Sequence, residues 1–143
     1  MKKIIFMGKS GGGKTSLIEA LRGESIVYRK TQYIDYSDTF VDTPGEYTEG
    51  NDLGGALAVY SYEADVVGHV VAADDEFCIF PPACAPVANR PVIGIVTKCD
   101  SPLANIPLAR LWLENCGCER IFLTSAKTGE GRDELLQYLK ETN

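Results

Sequence analysis

The sequence predicts an α/β fold in which helices cover both faces of a mostly parallel sheet. Short apolar runs typical of buried strands alternate along the chain with segments whose apolar residues recur at helical spacing. A glycine-rich turn follows the first apolar run, and polar motifs follow three later strand-like segments. Ligands of such sheets bind at the carboxyl ends of the strands, so this placement predicts a ligand site there.

The first strand and helix flank the glycine-rich turn. The unbroken apolar run from Ile4 to Met7 predicts a strand that is buried on both faces. After the turn, Leu17, Ile18 and Leu21 recur at helical spacing, and Gly23 predicts the end of this helix.

The later elements continue the alternation. Further strands are predicted at Val66 to Ala73, Val92 to Val96 and Arg120 to Leu123. The segment Asn105-Ile106-Pro107 predicts the start of a helix, because Asn is a good N-cap and Pro suits the first turn, and this helix is expected to end at Gly117. A final helix with Leu135, Leu136 and Leu139 as its apolar stripe follows the turn at 128–131.

Composition limits the classes of protein. The 143 residues are 45% hydrophobic and 24% charged, as in ordinary folded domains, and we expect a single domain over residues 1–143. A formal net charge of −6 argues against binding to nucleic acid or to anionic membranes, since both need clustered Lys and Arg. Five cysteines without paired spacing and the absence of a long apolar segment indicate a cytoplasmic protein.

The glycine-rich turn has the phosphate-binding pattern G-x-x-x-x-G-K-[ST], from Gly8 to Thr15. Small residues let backbone N–H groups converge on phosphate oxygens, and the N-terminus of the following helix adds positive potential. Lys14 is expected to reach the terminal phosphates, and the Thr15 hydroxyl is expected to bind Mg²⁺. The nucleotide contacts predicted here are Gly8, Ser10, Gly11, Gly12, Gly13, Lys14, Thr15 and Ser16.

The segment Asp42-Thr43-Pro44-Gly45 follows a predicted strand at Thr39 to Val41. Asp42 can hold Mg²⁺ through water, and the Gly45 amide can sense a γ-phosphate. The same tetrapeptide is also a good turn sequence, but its position after a phosphate loop favours the nucleotide role.

Two more polar motifs, Thr97 to Asp100 and Ser125 to Lys127, leave predicted strands. These four motifs, in this order, resemble those of the small GTPases of the Ras-like class. The resemblance implies a three-layer P-loop G-domain fold with GTP or GDP and Mg²⁺ as ligands. It implies that Asp100 accepts hydrogen bonds from guanine, while the motif at 125–127 closes over the base. The base contacts it implies are Thr97, Lys98, Asp100, Ser125, Ala126 and Lys127.

The same class has a switch threonine that binds Mg²⁺ when a γ-phosphate is present. Thr31 is the candidate here, with Thr39 as the alternative. Together with Thr15 and Asp42, Thr31 completes the implied metal ligands.

More narrowly, the phrases at 28–32, 42–47 and 91–98 are similar to those of the EutP/PduV family, whose members come from ethanolamine- and propanediol-utilisation operons. This resemblance implies a bacterial cytosolic protein that binds guanine nucleotide. It also implies association with a metabolic microcompartment, with a shell protein or enzyme as partner.

One position departs from the Ras-like pattern. Glu46 stands where those proteins have the glutamine that orients the attacking water. A carboxylate beside a triphosphate is repelled unless a cation or protonation compensates, so Glu46 is either a base that positions water or a bystander that contacts a partner. We expect slow hydrolysis of GTP, with Lys14, Gly45 and Glu46 as the catalytic candidates.

Two other functions stay open. One is a nucleotide-dependent phosphotransferase that acts on a small carboxylate metabolite, and the other is a targeting or assembly module that uses nucleotide as a latch.

Some chemically suggestive residues have simpler interpretations. His69 lies inside a predicted strand and is expected to be a packed polar side chain. The run Asp74-Asp75-Glu76 is expected to be a solvated turn rather than a metal cluster, and the pair Cys116 and Cys118 is expected to mark a helix end.

Overall fold

The computed structural model describes residues 2–8, 13–29, 40–42, 64–78, 80 and 90–141, with the backbone alone at 22–29 and 40–42. The predicted site residues Ser10, Gly11, Gly12, Thr31, Gly45 and Glu46 lie outside the described residues. The elements are β1 (Ile4–Met7), α1 (Lys14–Arg29), β2 (Phe40–Asp42), β3 (Val66–Ala72), β4 (Val92–Thr97), α2 (Ile106–Cys116), β5 (Arg120–Leu123) and α3 (Arg132–Lys140).

The described strands form one five-stranded sheet in the order β2-β1-β3-β4-β5, and every neighbouring pair is parallel. The predicted parallel α/β sheet is therefore confirmed. The register places Met7 opposite His69 and Ala72 opposite Thr97, so the carboxyl ends of β1, β3 and β4 lie along the same edge of the sheet.

Strands β1, β3 and β4 are buried on both faces, as their apolar runs indicate. One face packs against α2 through Ile5, Met7, Val67, Val71, Val96, Ala109 and Leu113. The opposite face packs against α1 and α3 through Ile4, Phe6, Val70, Ile95, Leu17, Leu21, Leu135 and Leu139. Helices on both sides make the three layers of a P-loop fold, and each large buried side chain contributes roughly 1.5–3 kcal/mol.

Helix α2 begins and ends where its capping residues predict. The side chain of Asn105 accepts a hydrogen bond from the Leu108 amide at 3.2 Å. At the other end Gly117 adopts a left-handed φ of 91°, and its amide donates to the Glu114 carbonyl at 3.0 Å. Cys116 is buried at this end, in agreement with its interpretation as a helix terminus.

The predicted end of α1 at Gly23 is wrong, because the helix continues to Arg29. A glycine ends a helix when it takes a left-handed φ, and Gly23 is not among the described glycines that do. A glycine that keeps helical geometry costs about 1 kcal/mol relative to alanine, which does not stop a helix. Three strand ends also differ by one residue, since β2 extends to Asp42, β3 ends at Ala72 and β4 extends to Thr97.

His69 is fully buried in β3, and its ring stacks on Phe80 with 4.2 Å between the ring centroids. This agrees with its expected role as a packed side chain.

The turn between β5 and α3 requires a glycine at position 131. Gly131 has a φ of 75°, and a Cβ at this position would collide with the Leu123 carbonyl oxygen. Gly129, in the same turn, has a φ of 84°, but a Cβ there would have Arg132 Cζ as its nearest neighbour at 3.8 Å.

We expect Gly131→Ala to destabilise the fold far more than Gly129→Ala, because only the first adds a backbone collision to the strained φ. Gly129→Ala should cost about 1–2 kcal/mol of unfolding free energy, and Gly131→Ala at least about twice that. Urea denaturation of both variants measures the difference. Equal losses would contradict the collision at Leu123.

Candidate functional site

A cavity of about 640 Å³ opens at the carboxyl edge of the sheet, between the start of α1 and the loops that follow β4 and β5. Its lining residues are Gly13, Ser16, Glu19, Ala20, Thr97, Lys98, Asp100, Ser101, Ala126 and Lys127. Seven of these ten are predicted nucleotide contacts; the other three are Glu19, Ala20 and Ser101. The structure therefore brings the phosphate-loop and base motifs to one cavity.

The three lining residues that sequence reasoning missed carry weak signals. Glu19 and Ala20 lie three and four positions after Ser16, which is the spacing of neighbours on one face of a helix. Ser101 directly follows the base motif but belongs to no pattern.

Lys14 begins α1 and is only 6% exposed. Its Nζ donates a hydrogen bond to the Gly8 carbonyl oxygen at 2.7 Å. The ammonium group thus binds the residue at which the phosphate-binding pattern begins. A phosphate bound in that loop would compete with the Gly8 carbonyl for the ammonium group.

The start of α1 favours an anion. Its first turn carries no acidic side chain, so the positive end of the helix dipole is not compensated there. Ser16 reaches the cavity from this turn, and Thr15 is exposed beside it. These are the properties of a phosphate site at a helix N-terminus.

Gly13 and Thr97 bring the phosphate-loop and base motifs into contact. Gly13 has a φ of 91°, and a Cβ there would lie 2.8 Å from Thr97 Oγ1. Thr97 is 4% exposed, and its hydroxyl donates to the Val71 carbonyl at 3.3 Å. A side chain at position 13 would therefore force the two motifs apart.

Asp100 and Ser125 join the two motifs predicted to read the base. The Ser125 hydroxyl donates to Asp100 Oδ1 at 2.7 Å, and it accepts from the Thr128 amide at 3.2 Å. This hydrogen bond is the main reason that the pKa of Asp100 lies below its ordinary value, and the charge of Lys127 lowers it further. Asp100 is thus an ionised acceptor at neutral pH. Ser125 itself is buried and supports Asp100 rather than lining the cavity.

The metal ligands predicted from the sequence are only partly described. The backbone of Asp42, at the end of β2, lies opposite Phe6 of the neighbouring strand β1. Thr15 is exposed at the start of α1. In the parts of the chain that the structure describes, no three His, Cys, Asp or Glu side chains form a group able to hold a metal ion. Of the predicted metal ligands, Thr15 is the one whose side chain lies within the described residues.

The acidic run after β3 forms a turn in which the carboxylates of Asp74 and Asp75 accept hydrogen bonds. Asp75 Oδ2 accepts from the Ala72 amide at 3.0 Å, and Asp74 Oδ2 accepts from the Ser101 hydroxyl at 3.1 Å. This agrees with the turn predicted there.

Of the helices within the described residues, none is long and apolar enough to cross a membrane.

We expect Ser125→Ala to raise the pKa of Asp100, because it removes the hydrogen bond that stabilises the carboxylate. A lowered folded-state pKa stabilises the fold above the ordinary Asp pKa of about 3.9, and this stabilisation is lost as the pH falls through the lower value. A carboxyl-carbon NMR titration measures the shift. Ser16→Ala is the matched control, since it removes another hydroxyl from the cavity; the same Asp100 pKa in both variants would contradict this role of Ser125.

The sequence matches the protein family described as "PduV-EutP: Ethanolamine utilisation - propanediol utilisation" over residues 1–141. It is 45% identical over 141 residues to the propanediol utilization protein PduV of Citrobacter freundii, covering 97% of this chain and 93% of that protein. It is 31% identical over 142 residues to the probable acetate kinase EutP of Escherichia coli K12, covering 97% of this chain and 89% of the relative.

The chain is also similar, more distantly, to part of a larger protein. The chain is 32% identical over 164 residues to translation initiation factor IF-2 of Petrotoga mobilis, covering 95% of this chain but only 22% of the factor. The similarity therefore concerns one part of that protein.

Proposed function

Because the chain belongs to the PduV–EutP family, which is linked to propanediol and ethanolamine utilisation, we propose that it binds GTP and GDP with Mg²⁺ at the cavity and hydrolyses GTP slowly. The observation that carries this proposal is the Asp100 carboxylate, which Ser125 holds at a cavity that also contains Gly13 of the phosphate loop. The similarity to IF-2 supports a GTPase-like protein.

The acceptor-only chemistry of Asp100 favours guanine over adenine. A carboxylate can accept from the N1–H and the 2-amino group of guanine at the same time. Adenine has an unprotonated N1 and no 2-amino group, so it offers no matching pair of donors. The Ser125 hydroxyl, whose hydrogen bond lowers the pKa of Asp100, also orients the carboxylate, which supports this role.

The phosphates would bind at the start of α1. Lys14 would exchange the Gly8 carbonyl for phosphate oxygens, and the backbone amides of the loop would surround the transferring group. Mg²⁺, held by Thr15 with Asp42 and Thr31, would supply neutralisation of the β and γ oxygens. Glu46 in place of a neutral water-positioning group is the reason to expect slow hydrolysis.

The partners proposed for this protein follow from its family. A role in propanediol or ethanolamine utilisation supports a shell protein or an enzyme of a microcompartment as its partner. Its GTP and GDP forms would then differ in the segments that contain Thr31 and Gly45.

We expect Asp100→Asn to lower the affinity for GDP by about a hundredfold or more, since the amide nitrogen cannot accept from the guanine donors. The variant should gain affinity for xanthosine diphosphate, whose C2 oxygen can accept from that nitrogen. Isothermal titration with GDP, GTPγS, ADP and ATPγS, each with and without Mg²⁺, measures both effects and the base preference of the wild type. Asp133→Asn, which neutralises an exposed carboxylate on α3, is the control. Comparable binding of ADP and GDP by the wild type would refute the assignment.

We expect Glu46→Gln to hydrolyse GTP faster than the wild type, because a neutral amide positions water without repelling the γ-phosphate. Single-turnover release of inorganic phosphate measures the rate. Glu49→Gln changes the next glutamate along the chain in the same way and should leave the rate unchanged. A Glu46→Gln rate no higher than that of the wild type would count against this explanation.

A second candidate function is phosphoryl transfer to a small carboxylate, which the name "probable acetate kinase" of the EutP relatives favours. A carboxylate oxygen would attack the γ-phosphorus while the bond to the leaving GDP oxygen breaks, which yields an acyl phosphate and GDP. Incubation with GTP, acetate and hydroxylamine distinguishes the two reactions. Acyl hydroxamate formed in equal amount with GDP would favour transfer, and free phosphate with no hydroxamate would favour hydrolysis.

A further inference from the structure

We propose that Ser101 is a positioning residue for guanine recognition, which acts through its hydrogen bond to Asp74. This inference rests on the proposed function, since it concerns the loop that carries Asp100. Ser101 lines the cavity, and Asp74 belongs to the loop that follows β3. The sequence patterns assign no role to Ser101 and give Asp74 only a place in a turn.

Asp100 lies in a tight turn at the end of β4. Lys98 opens the turn with a φ of 58°, and it is the one described non-glycine residue with a positive φ. The Ser101 amide closes the turn by donating to the Lys98 carbonyl at 3.0 Å. A left-handed φ costs a non-glycine residue free energy, so contacts from outside the turn must stabilise this conformation.

Two side-chain contacts hold the turn from opposite sides, in addition to the hydrogen bond of the Cys99 amide to the Thr124 carbonyl at 3.2 Å. The Ser125 hydroxyl, from the loop after β5, binds Asp100 Oδ1 at 2.7 Å. The Ser101 hydroxyl, on the residue next to Asp100, donates to Asp74 Oδ2 at 3.1 Å and accepts from the Leu103 amide at 3.2 Å. Asp100 therefore lies between an anchor on the loop after β5 and an anchor on the loop after β3.

Backbone hydrogen bonds also connect the loops after β3 and β4, and they do not involve the Ser101 side chain. The Ala73 amide donates to the Thr97 carbonyl at 2.7 Å, and the Asn105 amide donates to the Ala73 carbonyl at 2.7 Å. Loss of the Ser101 hydroxyl should therefore release only the Asp74 side of the turn, while the backbone connection and the Ser125 contact stay in place.

The orientation of Asp100 decides how well it reads guanine. A carboxylate that accepts from two donors at once must be held within about 0.5 Å and 10–20° of the productive geometry. Hypoxanthine differs from guanine only in lacking the 2-amino group. The ratio of GDP affinity to IDP affinity therefore reports the alignment of Asp100, because the phosphate contacts are common to both nucleotides.

The test is titration calorimetry of the full chain with GDP and with IDP in the presence of Mg²⁺. A hydrogen bond to a charged group changes affinity by about ten- to a hundredfold, and misalignment loses part of that. We expect Ser101→Ala and Asp74→Ala each to lower the GDP to IDP affinity ratio by about five- to tenfold. The double variant should lower it no further than the single variants, because both remove the same contact.

Matched variants separate positioning from general damage to the fold. Ser101→Thr keeps a hydroxyl and Asp74→Asn keeps an acceptor oxygen, so both should retain most of the wild-type ratio. Glu76→Ala removes a neighbouring exposed carboxylate from the same turn and should leave the ratio unchanged. Thermal unfolding of each variant identifies losses of stability, which would weaken GDP and IDP binding equally. If Ser101→Ala fails to fold, the ratio in Asp74→Ala decides. If Asp74→Ala fails to fold, Asp74→Leu, which also lacks an acceptor, replaces it.

The outcomes are distinct. An unchanged GDP to IDP affinity ratio in both alanine variants would overturn the inference. A ratio that falls in Ser101→Ala but not in Asp74→Ala would also overturn it, because Ser101 would then act on the nucleotide directly. A wild type that binds GDP no better than ADP would overturn the proposed function, and this inference would fall with it. A wild type that discriminates between GDP and IDP while the alanine variants keep its ratio would overturn the inference alone.

Discussion

The common direction of the described strands is the constraint on which the site depends. Three neighbouring parallel pairs bring the ends of β1, β3, β4 and β5 to one edge, so the segments that leave these strands share one region. Burial on both faces stabilises this arrangement, because a parallel sheet needs helices on each side. The cavity lies between the start of α1 and the segments that follow β4 and β5.

Short polar contacts hold the segments around the cavity. The hydroxyls of Thr124 and Ser125 are buried and hydrogen-bonded, to the Val96 carbonyl at 2.9 Å and to Asp100 at 2.7 Å. The first contact links the loop after β5 to strand β4, and the second links the loops after β4 and β5. A buried hydroxyl without a partner would cost roughly 1–3 kcal/mol, so these contacts restrict the loops to one arrangement. An acceptor oriented in advance loses less free energy on binding than one that must be ordered by the ligand.

Some helix ends and site residues can be predicted from the sequence, and others cannot. Both ends of α2 are predictable, because Asn105 and Gly117 act through bonds to residues three positions away. The end of α1 is not, since Gly23 suits both a helix end and a helix interior and only its φ decides. Within the site, the phosphate-loop and base motifs are contiguous patterns and are readable. Ser101 is not, because its partner Asp74 is 27 positions away on the loop after another strand.

The sequence alone determined the alternation of strands and helices, the phosphate loop and the base motif, because periodicity and short motifs are properties of neighbouring residues. The tertiary structure decided which distant groups meet: Gly13 against Thr97, Ser125 on Asp100 across 25 positions, and Ser101 on Asp74. These contacts follow from the strand order β2-β1-β3-β4-β5 and its register. Local periodicity does not encode that order, since it emerges only when the helices pack on both faces of the sheet.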